Sequence, residues 1–135
     1  MKQVILLTTL FTVLVTGATA QKYYTKNGSI SFFSKTSMEN IKADNNQVLS
    51  VLNAQTGEIQ FSVLIKSFHF EKALMEEHFN ENYLESGKFP KATFKGTITD
   101  MSRVNFNTDG MYTVPVSGDL TIHGVTKKIT TTGTI

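Results

Sequence analysis

From Tyr23 onward the chain alternates apolar and polar side chains in short runs broken by turn residues, the pattern of strands that bury one face. Tyr23 and Tyr24 lead into Asn27-Gly28, a strong hairpin signal, and Ile30, Phe32 and Ser34 share one face of the strand that follows. A second hairpin is predicted from Val48–Leu52 through Asn53-Ala54-Gln55-Thr56-Gly57 into a long strand from Glu58 to Lys66. Ile59, Phe61, Val63 and Ile65 share one face of that strand, opposite Gln60, Ser62 and Lys66. Phe89-Pro90 favours an extended backbone, after which Ala92, Phe94, Gly96 and Ile98 alternate with Thr93, Lys95, Thr97 and Thr99. Val114, Val116, Gly118, Leu120 and Ile122 continue the pattern against Thr113, Ser117, Asp119 and Thr121. His123-Gly124 predicts a tight turn, and Val125 to Ile135 a threonine-rich strand with Lys128, Thr130 and Thr132 outward.

Residues 71–79 depart from this pattern. Glu71-Lys72-Ala73-Leu74-Met75-Glu76-Glu77-His78-Phe79 is rich in helix formers, with Phe70, Leu74 and His78 on one face, Met75 and Phe79 beside them and Glu76 toward solvent. Tyr83 and Leu84 extend this covering element into a loop closed by Gly87 and Pro90. Six or seven strands with one helical crossover define an all-β, antiparallel fold, a barrel or sandwich capped at one end.

The first twenty residues read differently. Met1-Lys2, an apolar run from Val4 to Val15, then Gly17 and Ala18-Thr19-Ala20 form a signal-peptide pattern with small-x-small cleavage, leaving Gln21 as the new amino terminus. The run is too short and too rich in threonine for a membrane span, so the expectation is an exported protein, periplasmic or secreted, without a transmembrane segment after cleavage. Residues 21–135 then form one domain, long enough to bury a core or wrap a cavity. With Lys2 removed, twelve basic side chains face eleven acidic ones, and only Lys127-Lys128 are adjacent, so nucleic acid is not expected as a partner. The chain has no cysteine, which excludes disulfides, thiolate nucleophiles and zinc-thiolate sites.

The candidate catalytic groups do not assemble into a pattern. His69, His78 and His123 lack metal-ligand spacing; His78 reads as a helix histidine near a barrel mouth and His123 as a turn residue. Glu76, Glu77, Glu81 and Glu85 read as a charged helix face and loop, and no Gly-x-Ser-x-Gly elbow is present. No catalytic residue, metal or cofactor is assigned, and an enzymatic reading would have to rest on His78 or Glu77. The ten Phe and four Tyr side chains are the better candidates for function. They either fill the interior of a small barrel or line a tunnel through it.

Two stretches bear on that choice. Glu77 to Phe94, EHFNENYLESGKFPKATF, and Leu120 to Lys127, LTIHGVTK, together resemble the YceI-like family of exported lipid-binding proteins. His78, Asn82-Tyr83-Leu84, Phe89-Pro90 and Thr93-Phe94 stand at the places of the first motif, and Leu120 through Lys127 match the second. The resemblance covers nearly all of residues 21–135. It implies a lipocalin-like extended antiparallel β-barrel, with one short helix covering an end, whose interior holds a polyisoprenoid or other long-chain lipid without turning it over. On that reading the ligand-binding residues are Phe32, Ile59, Phe61, Val63, Ile65, Phe94 and Ile98 on the earlier strands. Val114, Val116, Leu120 and Ile122 join them from the later strands, with Leu74, Phe79 and Tyr83 as a lid.

Asn82 stands where the family often has an acid, and Lys72 where it more often has arginine. The family's barrel also continues for some tens of residues past the position of Ile135, so the carboxy-terminal strands are expected to be missing here. The alternative is a dry barrel that acts as an interaction or stress-response module through its surface. A second copy of the chain is a further candidate partner.

Overall fold

The computed structural model describes residues 21–135; the expected signal peptide, residues 1–20, lies outside the described residues. Seven strands form one antiparallel sheet: β1 Lys22–Lys35, β2 Asn40–Asn53, β3 Glu58–Leu64, β4 His69–Phe70, β5 Lys91–Ile98, β6 Thr113–Ile122 and β7 Val125–Thr134. The sheet order is β1-β2-β3-β5-β6-β7, with β4 paired to β2. One short helix, α1 Ala73–His78, continues as a π-turn over Phe79–Tyr83. The sheet curls into a half-barrel, so that Ile30 on β1 and Ile129 on β7, the two edge strands, line one cavity.

Register fixes which side chains face the hollow. Residues opposite one another in an antiparallel pair share a face; Phe61↔Phe94 and Phe94↔Leu120 carry one row across three strands, and Gly118↔Ile129 sets Ile129 on the same face of β7. The alternation expected for β5, β6 and β7 is the alternation observed, and the tight turn at His123-Gly124 has both residues at positive φ, 53° and 72°.

Three local expectations are corrected. Asn27-Gly28 is not a hairpin. β1 runs straight through it as a pair of register shifts, between Thr25 and Gly28 and between Gly28 and Ile30. Both flanks pair with the same long strand, from Lys22↔Asn53 to Lys35↔Asn40, so β2 supplies a partner on either side and the local turn preference gives way to a bulge.

The strand expected from Glu58 to Lys66 ends at Leu64, and Ile65–Ser67 form a 3-10 turn. Here β2 exchanges partners. Leu49 to Leu52 pair with β3, whereas Ala43 and Asp44 pair with β4. Fully buried Asn45 bridges the gap: its Nδ2 donates to the Leu64 carbonyl at 3.0 Å, and its Oδ1 accepts from the Gln47 N–H at 2.9 Å. One side chain thus satisfies two backbone groups that the ladder leaves unpaired.

The helix is shorter than residues 71–79, and Glu76, whose side chain is 36% exposed, is also engaged by β4. Its carboxylate accepts from the Phe70 N–H at 3.2 Å and lies 3.5 Å from His69 Nδ1, which ties the helix to β4.

The core is in two parts. Ala43, Val48, Val63, Ile65, Phe68 and Ala92 are buried toward the helix end, and Ile59, Phe94, Ile98, Val114 and Val116 toward the other. At the centre Gly96 faces Gly118. A Cβ on Gly118 would collide with the Gly96 Cα and the Lys95 carbonyl oxygen, both backbone atoms. Gly118→Ala is therefore expected to cost about 1–3 kcal/mol through enforced backbone displacement, read as a lowered urea midpoint. Asn45→Ala removes the donor to the Leu64 carbonyl and the acceptor for the Gln47 N–H from a fully buried position, and a similar loss of about 1–3 kcal/mol is expected in the same assay.

Candidate functional site: an apolar trough on the concave face

The central feature of the concave face is a cavity of about 260 Å³. Its walls include Phe61 and Val63 from β3, Ala92 and Phe94 from β5, and Leu120 from β6, closed at the sides by Ile30 and by Ile129 with Thr131. No titratable side chain reaches it among the described residues. Phe61 and Phe94 stack with ring centroids 5.9 Å apart and 25° between planes. Phe94 is buried, whereas Phe61 remains 37% exposed and forms the accessible surface of the trough.

The Phe94 ring keeps its position because the next inward residue on its strand is a glycine. A Cβ on Gly96 would stand 2.6 Å from Phe94 Cζ, so the ring lies over the bare backbone there.

Toward the helix, a second cavity of about 740 Å³ lies under α1. Phe32 and Ile41 form its sheet side, and Leu74, Met75, Phe79 and Tyr83 its cover. His78, Glu39 and Lys72 stand at its rim. The Glu39 carboxylate pairs with the Lys72 ammonium, and that hydrogen bond, with the attraction of the opposite charge, holds the Lys72 pKa above its ordinary value. The pair leaves little net charge at that point of the opening.

A cluster of phenyl rings borders the cavity under the helix. Phe32 lies 5.4 Å from Phe68, 5.9 Å from Phe70 and 5.6 Å from Phe79, and Phe70 to Phe79 is 4.9 Å. Ile30 lines the trough and Phe32, two residues on along the same face of β1, lines the cavity under the helix. The face of β1 thus runs from the trough at Ile30 to the phenyl cluster at Phe32.

The cover is anchored at its far end. Glu85 Oε2 and His123 Nε2 are 2.6 Å apart, and these are the two non-glycine residues at positive φ among the described residues, 46° and 53°. Phe89 meets the His123 ring edge-on at 4.6 Å and would be struck by a Cβ on Gly124. The two sequence stretches singled out above therefore meet in space, the loop after the helix against the β6–β7 turn.

The fourteen residues expected to contact a ligand fall into distinct places. Phe61, Val63, Phe94 and Leu120 line the trough, and Phe32, Leu74, Phe79 and Tyr83 line the cavity under the helix. Ile59, Ile98, Val114 and Val116 are buried together and close the end opposite the helix, and Ile65 is buried beneath Phe68 in the helix-side core. Ile122 lies beside the β6–β7 turn, paired with Val125, apart from both cavities. The sequence reading did not assign Ile30, Ile41, Met75, Ile129 or Thr131. Ile129 and Thr131 were legible, since they alternate with the outward Lys128, Thr130 and Thr132. Among the described residues no group of three or more His, Cys, Asp or Glu side chains is placed to hold a metal ion, and no helix is long and apolar enough to cross a membrane.

Comparison with known proteins points one way. The family model described as YceI-like domain matches residues 13–135. A UPF0312 protein of Pseudomonas fluorescens is 34% identical over 76 residues, 56% of this chain and 37% of that protein, so the match spans little more than a third of the relative's length. Among solved structures, a polyisoprenoid binding domain from Saccharophagus degradans, implicated in plant cell wall breakdown, superposes with a TM-score of 0.69 at 19% identity. That match covers 85% of this chain and 67% of the other, and it shows a shared fold. A Campylobacter jejuni YceI protein aligns over 98% of this chain and 67% of its own, at 14% identity and a TM-score of 0.44.

The different burial of the stacked rings makes a prediction about stability. Phe94→Ala empties a packed position and is expected to cost about 3–5 kcal/mol. Phe61→Ala, at an open one, is expected to cost clearly less, with both read from urea unfolding followed by circular dichroism.

Proposed function

The chain belongs to the YceI-like domain family, and from that premise we propose that it is an exported, non-catalytic carrier that holds a polyisoprenoid or similar long apolar chain against its concave face. The observation that carries this reading is the central trough, walled by Phe61, Val63, Phe94, Leu120, Ile30 and Ile129, with no ionisable group in its lining among the described residues.

The physics of retention is burial. Each methylene removed from water contributes roughly 0.8 kcal/mol, so a five-carbon prenyl unit sequestered here contributes about 4 kcal/mol without any polar contact. An apolar cavity of about 150 Å³ suffices for benzene, which makes the 260 Å³ trough a match for one or two prenyl units. A longer chain extends past Phe32 and Phe79 into the cavity under α1, where rotation of those rings opens the way. The lining of the trough presents no acid, base or nucleophile among the described residues, which supports retention without turnover. The shared fold with the Saccharophagus degradans polyisoprenoid binding domain supports the ligand class. Export rests on Lys2 and the apolar run from Val4 to Val15.

Mass spectrometry of an organic extract of the folded protein, purified from an exported fraction, tests the proposal. A prenyl lipid in stoichiometric amount is expected, and its level should fall severalfold in Phe61→Trp, whose larger ring occupies the trough. A folded protein that yields no lipid, and takes none up from added prenyl alcohol, would instead support a module that acts through its surface.

A further inference from the structure

The face of the sheet turned away from the trough carries its own apolar patch, and we propose that this convex patch docks the protein on an anionic phospholipid surface. The patch follows from register. Tyr24 lies opposite Val51, Val51 and Leu49 are alternate residues of β2, and Leu49 lies opposite Ser62. Leu64 is the next residue on that face of β3 and lies opposite Lys91 of β5. These side chains point outward and stay open to solvent: Tyr24 is 75% exposed, Leu49 47%, Leu64 44% and Val51 40%. An outward strand face is ordinarily polar, as it is on β6 and β7, where serine, threonine, aspartate and lysine fill the equivalent rows.

Charge selects the occupant. Leu49 and Leu64 form the base of a surface depression of about 440 Å³ whose rim includes Lys26 and Lys91 and no acid. Neither lysine has a carboxylate within 4.0 Å among the described residues. Of the chain's eleven acids, Glu71, Glu76, Glu77, Glu81 and Glu85 belong to α1 and its flanking segment, and Asp44, Glu58 and Asp119, which share the convex face, lie outside the depression. Leucine, valine and tyrosine between lysines whose alkyl stems lie along apolar surface is the chemistry of the interfacial zone of an anionic bilayer. The carrier reading supplies the purpose, since a protein that loads a membrane lipid must meet the membrane; the docking test does not depend on that reading.

The experiment is co-flotation of the purified protein with vesicles of phosphatidylglycerol and phosphatidylcholine in equal parts, against vesicles of phosphatidylcholine alone. Binding to the anionic vesicles that weakens in high salt is expected. Each lysine near such a surface is worth about fivefold in affinity, so Lys26→Gln with Lys91→Gln should weaken binding about 30-fold. The equal charge loss of Lys35→Gln with Lys88→Gln, outside the patch, should weaken it by much less. Leu49→Ser with Leu64→Ser should also reduce binding, with unchanged circular dichroism.

Equal losses from the two lysine pairs would mean that only net charge matters and would overturn the proposal, as would absence of binding to the anionic vesicles. Phe61→Trp separates the two readings. Loss of prenyl lipid with vesicle binding intact is expected if both hold. A wild-type protein that floats through the convex patch yet yields no lipid keeps the docking surface and discards the carrier.

Discussion

The concave face depends on a contact between two backbones. At the centre of the sheet β5 and β6 approach so closely at Gly96 and Gly118 that neither position has room for a Cβ. The missing side chains do two things together. They let the two strands come close where the sheet curls, and they leave bare backbone over which the Phe94 ring lies. Phe61 stacks on that ring and forms the floor of the trough. The local consequence of a glycine in a strand is loss of stability. Here the loss is offset by an aromatic side chain that covers the gap, and the result is a shaped apolar surface in place of a filled interior.

The lid is fixed to this scaffold by polar contacts at both ends. At its start Glu76 accepts from the Phe70 backbone N–H, joining α1 to β4, and β4 occurs only because β2 exchanges partners across Asn45. At its end Glu85 meets His123 at the β6–β7 turn. Both residues of the second pair occupy left-handed backbone, a conformation that costs energy for side chains other than glycine and is held by its surroundings. The hydrogen bond between them, with Phe89 against the His123 ring, provides that support. His123 is thereby a positioning residue, and the His-Gly turn that carries the family resemblance is explained by architecture.

How far the sequence could be read follows from how local each feature is. The faces of β5, β6 and β7 were legible because strict alternation places a side chain whatever its neighbour does. The bulge at Asn27-Gly28 was not, since a turn becomes a bulge only when one long strand pairs with both flanks, and that pairing joins residues as far apart as Lys22 and Asn53. Ile65 was extrapolated from the alternation of Ile59, Phe61 and Val63, but the strand ends one residue earlier, where the Asn45 side chain replaces a neighbouring strand. The separation of lining from core was hidden for a related reason. Phe61 and Phe94 have the same residue type and the same facing, and only the curl of the sheet decides that one is open and the other buried.

That separation bears on how such a trough remains stable. Ile59, Ile98, Val114 and Val116 are buried together at one end and Ala43, Val48, Ile65 and Phe68 at the other, so the open middle is held between two packed clusters. A hollow lined by apolar side chains forfeits the contacts that close packing would supply. The chain limits that loss to the short span between the clusters, where Phe61 and Leu120 face the gap, and closes the helix-side cluster with phenyl rings that can turn about two torsions each. On the carrier reading proposed above, an apolar chain in the span would restore the missing contacts. It would do so against a sheet whose closest strand approach is fixed by Gly96 and Gly118, with the stacked Phe32 and Phe79 rings at the helix-side end.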